Sequence, residues 1–418
     1  MNTSPIELVL RPHVWEALPV VDAMPKAERP AAIASLGIEG GERAALLTQL
    51  DLREQAESKF GEFAHSMIFT RDGLEQATRL PVAALHARRF ASAGVGAVAD
   101  LGCGVGSDSM AFAATDINVD AWDINPEAVA CAKINLRFHP NAKVHIGDVS
   151  KLDIRDLVAS GIQGIFADPA RRTGERGGSR RISSPSEWSP SLPQVLSWRE
   201  ALREGGFDAL GIKVAPGIDY EHIPSDFEAQ WVSDDRQLVE ASLWSPALRE
   251  APGRSAAIFR GGSLFHMFEE GDPTAPAEQL APVELSKYLW EPDPAIIRAG
   301  LIAKLVRETS LEGPISPNIA YLTSTETIDG AYNNAVTGFE VLDVTNLRPK
   351  AISKALRALK PTSIEVKKRG TDIDPAALQT ALKKILVPKT LEYSRPLTVF
   401  ATRVGGAHRA IIARRLTY

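Results

Sequence analysis

The stretch VADLGCGVGSDS, residues 98–109, decides the fold. A short apolar run closes on an acid, Asp100, and is followed by Gly102, Gly104 and Gly106. Glycine lets a chain turn sharply and brings its backbone close to a ligand, with no Cβ in the way. A strand emptying into such a turn and then into a helical run is how an α/β nucleotide-type unit opens. The dinucleotide fingerprint G-x-G-x-x-G requires a third glycine where this chain has Ser107, so the spacing here is different.

Working outward, short β-rich runs alternate with helical ones. AVADLG, NVDAWDI, AKVHIGD and GIFADP each end in an acid, a glycine or a turn, and SDSMAFAAT and PEAVACAKINLRF separate the first three as helices. DALGIKVA, LVEASLW and RSAAIFRG read as further strands. Strands alternating with helices predict a parallel sheet covered on both faces, with ligands at the carboxyl ends of its strands. Three of those ends carry carboxylates. Asp100 at the mouth of the turn repels a diphosphate and attracts an ammonium group. Asp123, about twenty residues on, suits a ribose diol. Asp148 ends the third strand near where an adenine amino group would lie. The set suits a cationic, ribose-bearing adenine ligand and does not suit NAD or ATP.

These motifs resemble the class I S-adenosylmethionine-dependent methyltransferases. VADLGCGVG is similar to their first motif, DINPEAV to the second, GDV to the third and DPAR to the fourth, across roughly residues 96–260. The resemblance implies a seven-stranded Rossmann-like sheet and S-adenosylmethionine as cofactor. Its contacts would be Asp100, Gly102, Gly104, Asp123, Ile124, Asp148 and Val149. Upstream, LEQAT resembles the segment that leans over the cofactor in RNA methyltransferases, which makes Gln76 and Thr78 candidate contacts; a plain helix surface reads them equally well.

In this class the fourth strand ends beside the methyl group, which makes Asp168 and Pro169 the candidate catalytic pair. Amino methyltransferases carry a second proline and an aromatic there, where this chain has Ala170 and Arg171. DPAR is similar to the DPPR of 5-methyluridine enzymes, but those need a cysteine after the fifth strand. The two cysteines here, Cys103 and Cys131, both lie in the cofactor half. What remains is direct transfer to nitrogen or oxygen, with Asp168 taking or orienting a proton. Lys213 and Pro216 would line the opposite side of the opening. Behind Asp168 stand Arg171, Arg172, Arg176, Arg180 and Arg181, interleaved with glycines. They read either as a backbone clamp for nucleic acid, with Arg171 and Arg172 foremost, or as a solvated loop.

The rest of the chain frames this domain. Residues 1–95 read as helical, with a boundary near Pro81; 96–270 form the methyltransferase domain, 271–335 a connecting helical region, and 336–418 an α+β module. SIEVKKRGTDIDPAALQTALKK resembles a C-terminal THUMP-like (ferredoxin-type) domain found beside such methyltransferases in bacteria, and YLWEPDPAIIRAGL and IAYLTS are similar to that family's middle region. From Asn346 to Tyr418 sixteen Lys and Arg face four Asp and Glu, so a net +12 sits there within a chain of net −5. A basic module on an acidic body suggests a polyanion partner. Lys367, Lys368 and Arg369 would touch phosphates, with Lys383 and Lys384 on the next helix. Aromatics are few, which favours shape recognition of structured RNA, tRNA or rRNA, over base stacking. The alternatives are a methyltransferase of a protein or small molecule, and an RNA-binding protein whose methyltransferase fold has lost catalysis. The cysteines have no metal-ligand spacing, and no window of eighteen apolar residues occurs, so neither a metal nor a membrane is expected and the cytoplasm is.

Overall fold

Among the described residues of 97–214, five strands share one sheet: β1 (Ala97–Leu101), β2 (Asn118–Asp123), β3 (Ala142–Ile146), β4 (Gly164–Ala167) and β5 (Ala209–Val214). In the computed structural model they pair in parallel in the order β3-β2-β1-β4-β5. The chain leaves β1 for β2 on one side and returns to β4 on the other. The loops at that reversal diverge, and the resulting crevice is where α/β sheets hold ligands. β4 is buried along its whole length, as an apolar run covered on both faces must be. The structure describes residues 4–170, 172–173, 180–181, 184–390 and 394–417.

Two units make up the chain, one of Met1–Ile218, Asp226–Glu228 and Ser242–Pro252, the other of Asp219–Ser225, Ala229–Ala241 and Gly253–Tyr418. In the first, helices α1 (Gly40–Phe60), α2 (Arg71–Gln76) and α3 (Leu80–Ser92) precede the sheet. Pro81 lies in the first turn of α3, so the expected boundary is a helix start, where a missing N–H costs nothing. α4 (Ser107–Ala113), α5 (Pro126–Asn135) and α6 (Leu192–Glu204) connect the strands. Asn125 caps α5 by accepting the Glu127 N–H at 2.9 Å. Leu46, Leu50, Ala56, Phe60 and Phe69 form one core with Val105 of the glycine loop and Cys131 of α5. The helical N-terminus is therefore packed onto the ligand end of the sheet.

Strands β6 (Glu228–Asp234) and β7 (Gln237–Trp244) have residues in both units. The last residues of β7, Ser242–Trp244, follow β5 in the first unit's sheet. The second unit holds the antiparallel hairpin of β8 (Gly253–Arg260) and β9 (Ser263–Glu270). All seven expected strands are present; β6 and β9 are additional. β6 escapes a pattern search because Glu228, Gln230 and Ser233 are fully buried polar residues on it.

A separate seven-stranded sheet lies within the second unit. Its strands are β10 (Tyr288–Pro292), β11 (Gly313–Pro314), β12 (Leu322–Ser324), β13 (Val336–Asn346), β14 (Ser363–Lys368), β15 (Pro396–Val404) and β16 (Ala407–Arg415). Their order is β11-β12-β10-β13-β16-β15-β14. Residues 288–324 thus supply three strands as well as helix. The stretch PDPAIIRAGLIAKLVRETS, residues 292–310, has the apolar spacing of one helix but forms two, α7 (Pro294–Arg298) and α8 (Ile302–Glu308), because Gly300 takes a left-handed φ of +71° between them. α9 (Pro349–Leu359) and α10 (Pro375–Leu382) bury Ile352, Leu356, Leu378 and Leu382 against Val399 and Ile412 of the sheet.

Candidate active site

The carboxyl ends of β1, β2 and β4 are stitched together by the backbone. The Asp168 N–H donates to the Leu101 carbonyl at 3.0 Å, and the Gly102 and Cys103 N–H groups donate to the Trp122 carbonyl at 2.9 and 3.0 Å. Gly102 has φ +98°, and a Cβ there would lie 2.7 Å from the Asp168 carbonyl oxygen. Only glycine admits so close an approach between the first loop and the fourth strand tip. Gly104, at φ +55°, has open space where its Cβ would be. Its N–H donates to Asp123 Oδ2 at 2.9 Å, while Asp123 Oδ1 accepts the Asn125 N–H at 2.8 Å. Two backbone donors therefore fix this carboxylate and leave it further lone pairs for a diol. Beside it Ile124 is 66% exposed, an apolar side chain at the rim that suits one face of an adenine ring.

Asp148 is turned to local use. It caps a short 3-10 turn by accepting from the Ser150 N–H at 3.1 Å and the Ser150 hydroxyl at 2.6 Å, and it pairs with Lys151 at 2.9 Å. Those bonds hold its pKa below the ordinary carboxylate value. Val149 next to it is half-buried. Asp100 does not stand at the mouth of the turn. It is 1% exposed, lies beneath the glycine loop and accepts the Ser109 hydroxyl at the start of α4. Burial, reinforced by the nearby Asp108 carboxylate, pushes its pKa up to about 8.

A continuous polar chain runs inward from the fourth strand tip. Asp168 Oδ2 pairs with Lys213 Nζ at 2.9 Å, and the same ammonium donates to Thr78 Oγ1 at 3.0 Å. The Thr78 hydroxyl donates to Asp108 Oδ2 at 2.6 Å, and Asp108 Oδ1 meets His86 Nδ1 at 2.8 Å. Burial alone would raise the Asp108 pKa, but the hydrogen bond and charge of His86 hold it down. Asp100 and Asp108 are thus pushed in opposite directions by their surroundings, the pattern that lets neighbouring carboxyls take different protonation states. Lys213, 11% exposed at its side chain, faces this chain rather than open solvent.

The segment carrying Gln76 and Thr78 is fixed from the helical side. Lys59 of α1 donates to the carbonyls of Leu74, Glu75 and Ala77 at 2.7, 2.8 and 2.9 Å. Gln49 exchanges two hydrogen bonds with the Phe69 backbone, and Arg53 donates to the Met67 carbonyl at 2.8 Å. Burial, with the charges of Arg79 and Lys213, lowers the Lys59 pKa to about 8. Gln76 is exposed, whereas Thr78 is 5% exposed and engaged with Asp108 and Lys213. Asp108, His86 and Lys59 carry no signal in the sequence, since they sit in helices with ordinary polar patterns.

Pro169 is buried, and Ala170 forms a two-way backbone bridge with Ser189 at 2.8 and 3.0 Å, which anchors the turn after Asp168. Arg171 and Arg176 lie outside the described residues; Arg172 and Arg181 are paired in a short antiparallel ribbon. In the second unit, Lys367 pairs with Glu291 at 2.5 Å and stands 5.7 Å over the Phe339 ring. The Arg369 guanidinium lies 4.9 Å over Tyr321, and Lys368 is the exposed member of the three.

The sheet reversal, the glycine cradle, a diol-ready Asp123 and the apolar Ile124 together fit S-adenosylmethionine, and they define a class I methyltransferase. Residues 62–169 match the Methyltransferase small domain family, and residues 336–415 match the THUMP domain-like family. Over 376 residues the chain is 31% identical to an S-adenosylmethionine-dependent methyltransferase of Mycobacterium tuberculosis, covering 87% of this chain and 94% of that protein. The same identity is found with the protein of the strain H37Rv. A crystal structure of a protein from Porphyromonas gingivalis W83 assigned as a methyltransferase superposes with a TM-score of 0.67 at 18% identity, over 100% of this chain and 95% of that one, a likeness of fold. The chain belongs to the S-adenosylmethionine-dependent methyltransferases, and S-adenosylmethionine is its cofactor.

Proposed function

We propose that the chain methylates structured RNA, tRNA or rRNA, at a nitrogen or oxygen. The observation that carries the substrate class is the THUMP domain-like match at 336–415, on a segment of net +10. S-adenosylmethionine supplies an electrophilic methyl group on a sulfonium. Asp123, Gly102 and Gly104 bind the cofactor, with Ile124 against its adenine; Asp100 underpins the loop from below. Asp168 accepts the proton that the acceptor nitrogen or oxygen releases, and Lys213 keeps that carboxylate oriented. Positioning supplies most of the rate, since no covalent enzyme intermediate is needed. Both cysteines are buried, and burial raises their pKa values, which leaves them unsuited to attack a pyrimidine ring.

The four-part division at residues 95, 270 and 335 and a cytoplasmic location belong to the same proposal. Among the described residues no helix is long and apolar enough to cross a membrane. Mass spectrometry of nucleosides from total RNA of cells with and without the gene tests the substrate class. One methylated nucleoside should vanish without the gene. An unchanged nucleoside profile would move the acceptor to a protein or small molecule.

A further inference from the structure

We propose that the outward face of α9, through Lys350, Lys354 and Arg357, is where the phosphate backbone of the RNA is held. This rests on the RNA reading above and locates its contact. The helix PKAISKALRAL carries three cations and no acid. At 100° per residue, positions 350, 354 and 357 fall within an arc of about 60°, and at 1.5 Å per residue they span about 10 Å. All three are exposed, while Ile352 and Leu356 on the opposite side are fully buried. Among the described residues none of the three has a carboxylate within ion-pairing distance.

Local stability does not account for this arrangement. Lys350 lies in the first turn, where the helix dipole favours an acid, and no acid is there. The cationic field also continues beyond the helix. Arg395 donates to the Leu359 carbonyl at 3.1 Å, which puts a further guanidinium at the α9 C-terminus, and Lys383 and Lys384 are exposed just past α10. A row of unpaired cations on a rigid element gives salt-dependent, sequence-independent affinity for a phosphate backbone. The 367–369 cluster is less suited, because Lys367 would have to leave Glu291 and Arg369 already covers Tyr321.

The test is fluorescence anisotropy of a labelled tRNA transcript with the full chain across a salt series. Lys350→Ala, Lys354→Ala and Arg357→Ala together should lower the slope of log affinity against log salt by about 3. Lys367→Ala, Lys368→Ala and Arg369→Ala together should lower it by about 1. Alanine is the best helix former, so unchanged far-UV circular dichroism and melting temperature are expected of the α9 variant. A wild-type slope in that variant, or a greater loss in the 367–369 variant, overturns the proposal while leaving RNA methylation standing. If the wild type shows no salt-dependent binding to that tRNA or to a labelled rRNA transcript, the RNA reading fails and the proposal with it.

Discussion

In the first unit three ionisable groups are sunk: Asp100, Asp108 and His86 are at most 8% exposed, each with a side-chain hydrogen-bond partner. In the C-terminal module Lys350, Lys354 and Arg357 stand in solvent with no such partner among the described residues. Burying a charge is costly unless it is paired, so the buried set persists only as a complete network with fixed geometry. Exposed cations cost little and act additively through screened attraction. The first arrangement suits chemistry on one atom. The second suits holding a large polyanion in many registers. Substitutions in the two regions should therefore fail differently, the first steeply and insensitively to salt, the second gradually and with a strong salt dependence.

The largest effect is expected at the tip of the buried chain. Asp168→Ala should lower turnover on the true substrate by about 10²–10⁴-fold. Its cofactor affinity, measured by calorimetry, should stay at the wild-type value. Lys213→Met should also lower turnover, by less, because the carboxylate remains but loses its anchor. Wild-type turnover in Asp168→Ala would remove that residue from the mechanism and break the contrast between the regions. Next in size, Asp123→Ala should weaken S-adenosylmethionine binding by about 1–3 kcal/mol, the scale of a lost charge-assisted hydrogen bond. Calorimetry showing equal affinity would mean that the ribose is held elsewhere.

A smaller effect sharpens the comparison through pH. The folded-state pKa of Asp100, raised to about 8, lies above the value of about 3.9 for an unfolded chain. Between those values the folded state holds a proton that the unfolded state has lost. The stability this group contributes is full below about pH 4 and is lost as the pH climbs through about 8. Asp100→Asn mimics the protonated form, so its melting temperature should fall less than the wild type's between about pH 5 and pH 8. Parallel melting curves would show that Asp100 is ionised in the folded chain.

The strand framework was legible because a parallel sheet writes itself as apolar runs ending in acids and glycines, and the Asp123 position follows from that spacing. The inner chain was not. Lys213 meets Thr78 from 135 residues away and Asp168 from 45, and His86 and Asp108 are 22 apart, so no local pattern joins them. Lys213 reads in sequence as a side chain lining an opening; only the fold shows it turned inward. The same limit applied to the basic triplet, whose first member is paired with Glu291 from 76 residues away. Asp100 illustrates a subtler case: its place at the end of β1 is plain in the sequence, but its depth depends on α4 packing over it.

Transfer of labelled methyl groups from S-adenosylmethionine, by the purified chain, into RNA extracted from cells lacking the gene measures the proposed reaction itself. Label should enter that RNA, should not enter RNA from cells that have the gene, and should be lost with Asp168→Ala. Label appearing in protein or small molecules while the RNA stays unlabelled would contradict the account.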